Sequence, residues 1–218
     1  MIENKLSELK QQITKFTLLA EKMIEQSIDG LIKKDIKILK EVINALEPKA
    51  NNLEIEIEET SIEIIAQFAP KAFHLRTIVM ILKINNDLER ICDHAVNICE
   101  SGIFLAERPD VKPIIDIPIM AEKSIGMLKD SIDSYMNQDE KLARTVCSRD
   151  EKVDGLRNQI TRELLTYMIS DPTTIERGLH LQRIANNLER IADLSTNICE
   201  DVVFMIEAKI IKHHAESK

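Results

Sequence analysis

Glu89 and Asp93 are carboxylates four residues apart, and the same pair returns as Glu189 and Asp193. On a helix that spacing is one turn, so both members of each pair share a face. Asn86, Asn97 and Glu100 extend the first pair into a stripe, and Asn186, Asn197 and Glu200 extend the second. A row of carboxylate and amide oxygens one turn apart is the donor set that hard cations take. Like charges at this spacing repel by a few tenths of a kcal/mol. The stripes themselves contain no lysine to relieve that cost, whereas a bound cation would. Asp150 and Asp154 form a further pair that a neighbouring helix could offer to the same ions. Its first-half counterpart, offset by 103 positions, is Glu47 with Asn51. One charge is lost there, so the first site is expected to hold fewer ions or hold them less tightly. The competing reading is a solvated acidic face on a metal-free helical scaffold, in which replacing Glu189 and Asp193 changes nothing.

The stripes belong to a repeated phrase. Shifted by 100 positions, residues 84–100 match residues 184–200 at 11 of 17 places. All five stripe positions persist, while Cys92, His94 and Val96 have become Ala192, Leu194 and Thr196. Ile84, Leu88, Ile91, Ala95 and Ile98 fall on the opposite side of the helical wheel, so the phrase is amphipathic with its acids expected to point outward.

Elements that carry the phrase follow from periodicity. Leu6, Leu9, Ile13, Phe16, Ala20 and Met23 step by threes and fours, predicting a first helix. Ile36, Leu39, Ile43, Leu46, Ala50, Leu53, Ile57, Thr60 and Ile64 predict a second, with a kink or break at Pro48. A third should start near Pro70 and run to about Glu107, where "RPDVKP" ends it. The second half repeats the plan: roughly Ile114 to Met136, Glu140 to Ser170, and Thr173 onward after "SDPTT". The expected architecture is therefore all-α, a tandem repeat of two three-helix bundles over residues 1–108 and 109–218, related by a pseudo-twofold or laid end to end.

Composition agrees. Five glycines and no tryptophan in 218 residues, 44% of them apolar, suit long helices. A net charge of -8 argues against nucleic acid and for basic partners or cations. No stretch reaches the roughly 18 apolar residues of a membrane span, and the N-terminus lacks a secretory pattern, so a cytoplasmic location is expected. Cys92, Cys99, Cys147 and Cys199 form no C-x-x-C pair and are expected to be free thiols.

The doubled motif, here "LERICDHAVNICE" and "LERIADLSTNICE", resembles that of the phosphate-uptake regulators of the PhoU family, over essentially the full length. The resemblance implies multinuclear metal clusters on the repeat surfaces, iron first, with manganese, magnesium or zinc as alternatives. By position the implied ligands are Glu89, Asp93 and Glu47 in the first repeat, and Glu189, Asp193, Asp150 and Asp154 in the second. Asn97, Glu100, Asn197, Glu200 and His94 would be ligands or their supports. Two departures stand out: the family's motif histidine is His94 in one copy but Leu194 in the other, and the family's P-x-A-x-D-L-R carries His74 in place of its acid.

The resemblance also implies the role: a cytoplasmic negative regulator of phosphate uptake and the starvation response. It would be an adaptor between the ATPase subunit of the phosphate ABC transporter and a sensor histidine kinase, often a homodimer, touching membrane proteins only peripherally. An accessory of another phosphate transporter is the nearest alternative. Catalysis is not expected, because no glycine-rich phosphate cradle or nucleophile with its base is present. A di-iron carboxylate oxidase would need E-x-x-H motifs, and none of His74, His94, His180, His213 or His214 follows a glutamate at that spacing.

Overall fold

In the computed structural model, residues 2–207 are described, and every regular element among them is helical. The end of the second unit, residues 208–218 with His213 and His214, lies outside the described residues. Helix α1 spans Ile2–Lys33 and buries the predicted face, with Leu9, Ile13, Phe16, Ala20 and Met23 fully shielded from solvent. Lys34, in the left-handed region, turns the chain. Asp35 then caps α2 (Ile36–Glu41) by accepting hydrogen bonds from the Lys37 and Ile38 amides.

The second helix is not one helix. A π-helical turn, Val42–Leu46, separates α2 from α3 (Glu47–Phe68), whose second residue is Pro48. Proline has no amide hydrogen and its ring crowds the carbonyl four residues earlier. A widened turn relieves both conflicts, with the Glu47 amide reaching back to the Val42 carbonyl. The kink expected at Pro48 is thus absorbed just ahead of it. Ile43 and Thr60, expected inward, are half-buried, while Val42 and Ser61 take the fully buried places.

Helix α4 (Phe73–Ala106) starts three residues later than Pro70, because Ala69 and Ala72 both have positive φ, 43° and 48°. After the connector come α5 (Asp116–Asn137), α6 (Glu140–Cys147) and α7 (Asp150–Ser170). The continuous helix expected over 140–170 is broken at Ser148–Arg149. The apolar seam crosses the break in phase, Val146 and Val153 both being fully buried, which is why periodicity could not reveal it. A 3-10 turn, Pro172–Thr174, capped by Asp171, occupies the expected start of the last helix, and α8 runs Ile175–Glu207.

Helices α1, α3 and α4 pack as one three-helix bundle and α5, α7 and α8 as the other. The two lie side by side, α4 along α8 and α1 against α5. α4 and α8 run antiparallel, as three cross-contacts show: Lys83 to Asp201 at 2.9 Å, His94 to Asn187 at 2.8 Å, and Arg183 to Glu100 at 3.0 Å. Lys83 and Arg183 are equivalent repeat positions, so the pairing has pseudo-twofold character. One hydrophobic core runs through both bundles.

Two glycines set the position of α2. Leu39 is fully buried between Gly30 of α1 and Gly102 of α4, and a Cβ at Gly30 would stand 2.7 Å from Leu39 Cδ2. A larger residue at either wall would push α2 outward and move the π turn that follows it.

Candidate metal faces on the two repeats

The third helix of each bundle carries its Glu-x-x-x-Asp pair, and the start of the second helix's long segment comes up beside it. In the first repeat α4 supplies Glu89 and Asp93, and the π turn delivers Glu47 at the head of α3. The Glu89 carboxyl is held above the usual glutamate range, by burial first, then by the charges of Asp93 and Glu54, with Arg90 opposing and a hydrogen bond to Asp93 adding. Glu47 is raised by burial, then by Asp93 and Glu100. Burial, then Asp93, Glu89 and Glu47 together, push the neighbouring Cys92 thiol up as well. These groups therefore share one electronegative environment. Among the described residues none of Glu47, Glu89 and Asp93 forms an ion pair within 4 Å. Asn51 is exposed.

The second repeat has the same backbone plan and different electrostatics. Asp150 opens α7, Asp154 follows one turn on, and α8 brings Glu189 and Asp193. Here the acids are partnered. Arg157 of α7 reaches Glu189 at 3.3 Å and Asp154 at 3.7 Å. Arg190 reaches Asp193 at 3.0 Å and Glu189 at 3.7 Å. Burial raises the Glu189 carboxyl, Asp193 adds to it, and Arg157 and Arg190 pull it back. Two expectations change at this point. The second stripe is not without cations, because arginines from its own helix and from α7 lie on it. Nor does it point wholly outward, since Glu189 is only 8% exposed.

The remaining predicted donors are mostly engaged elsewhere. Arg183 of α8 donates to Asn97 Oδ1 at 2.6 Å and to Glu100 at 3.0 Å, tying both into the seam between repeats. His94 Nδ1 lies 2.8 Å from Asn187 Oδ1 in the same seam, and burial holds its imidazole below the ordinary histidine range. Leu194, its counterpart, is buried in the core. Asn197 is exposed and Glu200 half-buried. His74 is half-buried on α4, remote in sequence from the pairs. Arg157, Arg183 and Arg190 were missed by sequence reasoning. Arg190 was legible as the arginine three before Asp193, and Arg157 by the same 103-residue offset that aligned Asp150 with Glu47.

The donor chemistry of the first face fits a hard cation: three carboxylates from two elements, two of them held above the usual glutamate range by burial and by the Asp93 charge, with no side-chain cation among the described residues paired to them within 4 Å. Among the described residues no three His, Cys, Asp or Glu side chains converge as they stand. All four cysteines are free. Among the described residues no helix is long and apolar enough to cross a membrane.

Tandem three-helix bundles joined along their third helices, each with a Glu-x-x-x-Asp face, define a class of all-helical repeat proteins. The PhoU domain matches residues 13–102 and again 117–202, and the chain belongs to that family. It is 40% identical over 214 residues to a phosphate-specific transport system accessory protein PhoU homolog of Aquifex aeolicus, covering 98% of this chain and 96% of that one. It is 34% identical over 217 residues to homolog 2 of Thermotoga maritima, covering 99% and 92%. The crystal structure of PhoU from Pseudomonas aeruginosa superposes with a TM-score of 0.91 at 28% identity, covering 96% of this chain and all of that one.

Proposed function

We propose that this chain is an accessory regulator of a phosphate transport system. In this reading it is a cytoplasmic, non-enzymatic adaptor that restrains phosphate uptake and the starvation response by contacting the transporter's ATPase subunit and a sensor histidine kinase. Full-length similarity to proteins named as phosphate-specific transport system accessory proteins supports the setting. The observation that carries the mode of action is the acidic face between α3 and α4, where burial, and after it the Asp93 charge, hold the Glu47 and Glu89 carboxyls above the usual glutamate range. A hard cation such as iron or manganese on that face would relieve the repulsion and hold the carboxylates in one fixed arrangement for a partner surface to meet. Homodimerisation belongs to the same proposal.

Cells lacking the chain should take up phosphate several-fold faster in phosphate-replete medium, and re-expression should restore restraint. Affinity capture of the tagged chain should retain the transporter ATPase and the kinase. Unchanged uptake in the deletion strain, with neither protein retained, overturns the proposal.

A further inference from the structure

The two acidic faces share a backbone plan and differ in the sign of the charge at one register position. Offset by 103, the α3–α7 alignment that sets Glu47 against Asp150 also sets Glu54 against Arg157. Burial supports the register: Ala50 and Val153 are fully buried, as are Ile57 and Ile160. Glu54 adds a negative charge beside Glu89, whereas Arg157 reaches across from α7 to Glu189 at 3.3 Å while also facing Asp154 at 3.7 Å. The Arg157 side chain is itself two-thirds shielded and its Glu189 partner about nine-tenths shielded, so solvent screens the pair weakly. Arg190 completes the neutralisation at Asp193.

Resting on the metal reading above, we infer that the second face holds no ion: Arg157 is a built-in cation that occupies the electrostatic place a metal would take, and ion binding is confined to the first face. The donor count alone suggested the opposite order, because Asp150 and Asp154 outnumber Glu47 and Asn51 in charge. A guanidinium cannot be deprotonated under ordinary conditions. An ion entering the second face would therefore have to break the Arg157 contacts to Glu189 and Asp154 or stand beside an unneutralised guanidinium. The residues of the second face do not fit a resident metal.

Equilibrium dialysis of the full chain against Mn2+, with bound manganese counted by mass spectrometry, tests this with near-isosteric variants whose folding is checked by circular dichroism. Wild-type protein should bind Mn2+. E89Q/D93N should fall to background, and E189Q/D193N should bind as wild type does. E54R, which places a guanidinium at the matching position of the first face, should weaken binding on the order of 10-fold or more. R157E should add manganese beyond the wild-type content. Equal loss in E89Q/D93N and E189Q/D193N, or no added manganese in R157E, overturns this inference and leaves the metal reading standing. No Mn2+ on the wild-type chain overturns the metal reading itself, and this inference with it.

Discussion

Replacing Leu39 by alanine should destabilise the protein by about 4–5 kcal/mol, the upper end of the range for buried leucines. The reason is local. Leu39 is fully buried with Gly30 on one wall and Gly102 on the other, so neither wall has a side chain that could swing into the space left behind. Gly30→Ala tests the same contact from the other side. Its new Cβ would stand 2.7 Å from Leu39 Cδ2 and 2.8 Å from Cγ, and on the far side Leu39 packs so close to Gly102 that a Cβ there would stand 3.0 Å from Cδ1. Overpacking of that kind costs about 1–3 kcal/mol, set against roughly 1 kcal/mol of helix propensity gained. Gly30→Ala should therefore destabilise the wild-type chain or leave it unchanged. In the Leu39→Ala background the clash is gone and only the propensity gain remains, so the same substitution should stabilise by about 1 kcal/mol. Urea denaturation of the four proteins completes the cycle. With a slope of about 2–3 kcal/mol per molar, Leu39→Ala should lower the midpoint by roughly 2 M. An identical Gly30→Ala effect in both backgrounds, or a Leu39→Ala cost below about 2 kcal/mol, would mean that the two glycine walls do not confine Leu39.

Other expectations follow from the seam, the thiols and the faces. His94→Leu, which copies Leu194 of the second repeat, leaves Asn187 Oδ1 without its partner and should cost about 1–3 kcal/mol in the same urea assay. Arg183→Ala removes exposed contacts to Asn97 and Glu100 and should cost no more than about 1 kcal/mol. Of the four thiols, Cys147 is the accessible one and is held below the ordinary thiol range, chiefly by a hydrogen bond from Cys199. A thiol reagent should label one cysteine per native chain quickly and the other three only after denaturation. Without metal, the raised Glu47 and Glu89 carboxyls bind protons more tightly folded than unfolded. Their stability penalty is full above the raised values and disappears as pH falls through them to the unfolded value. Glu89→Gln should accordingly stabilise the metal-free protein at pH 7 by a few tenths of a kcal/mol, with the gain shrinking on acidification. Saturating Mn2+ should reverse the sign at pH 7, because only the carboxylate form binds the ion.

Most of the fold was readable because burial imposes periodicity. Leu9, Ile13, Phe16, Ala20 and Met23 were placed inward by spacing alone and are fully buried. Pro48 announced a distortion, since proline chemistry is local, but not its form; choosing a π turn depends on how α2 packs against α1 and α4. The break at Ser148–Arg149 was invisible for the converse reason, as the seam continues across it. The reversal at Ala69 and Ala72 carries no glycine to mark its positive φ values. Carboxylate pairs were legible as donors because four-residue spacing is a property of one helix. Their charge environment was not, because Arg157 acts across helices and its reach to Glu189 exists only once α7 lies against α8. The one trace in the sequence, Arg157 standing where the first repeat has Glu54, becomes informative only when the repeats are aligned position by position.

Anomalous X-ray scattering from crystals of the full chain grown with Mn2+ locates each bound ion and so decides whether ions sit on the first acidic face. Anomalous peaks are expected among Glu47, Glu89 and Asp93 and none beside Arg157 between Glu189 and Asp193. Peaks on the second face, or none on the first, would rule this arrangement out.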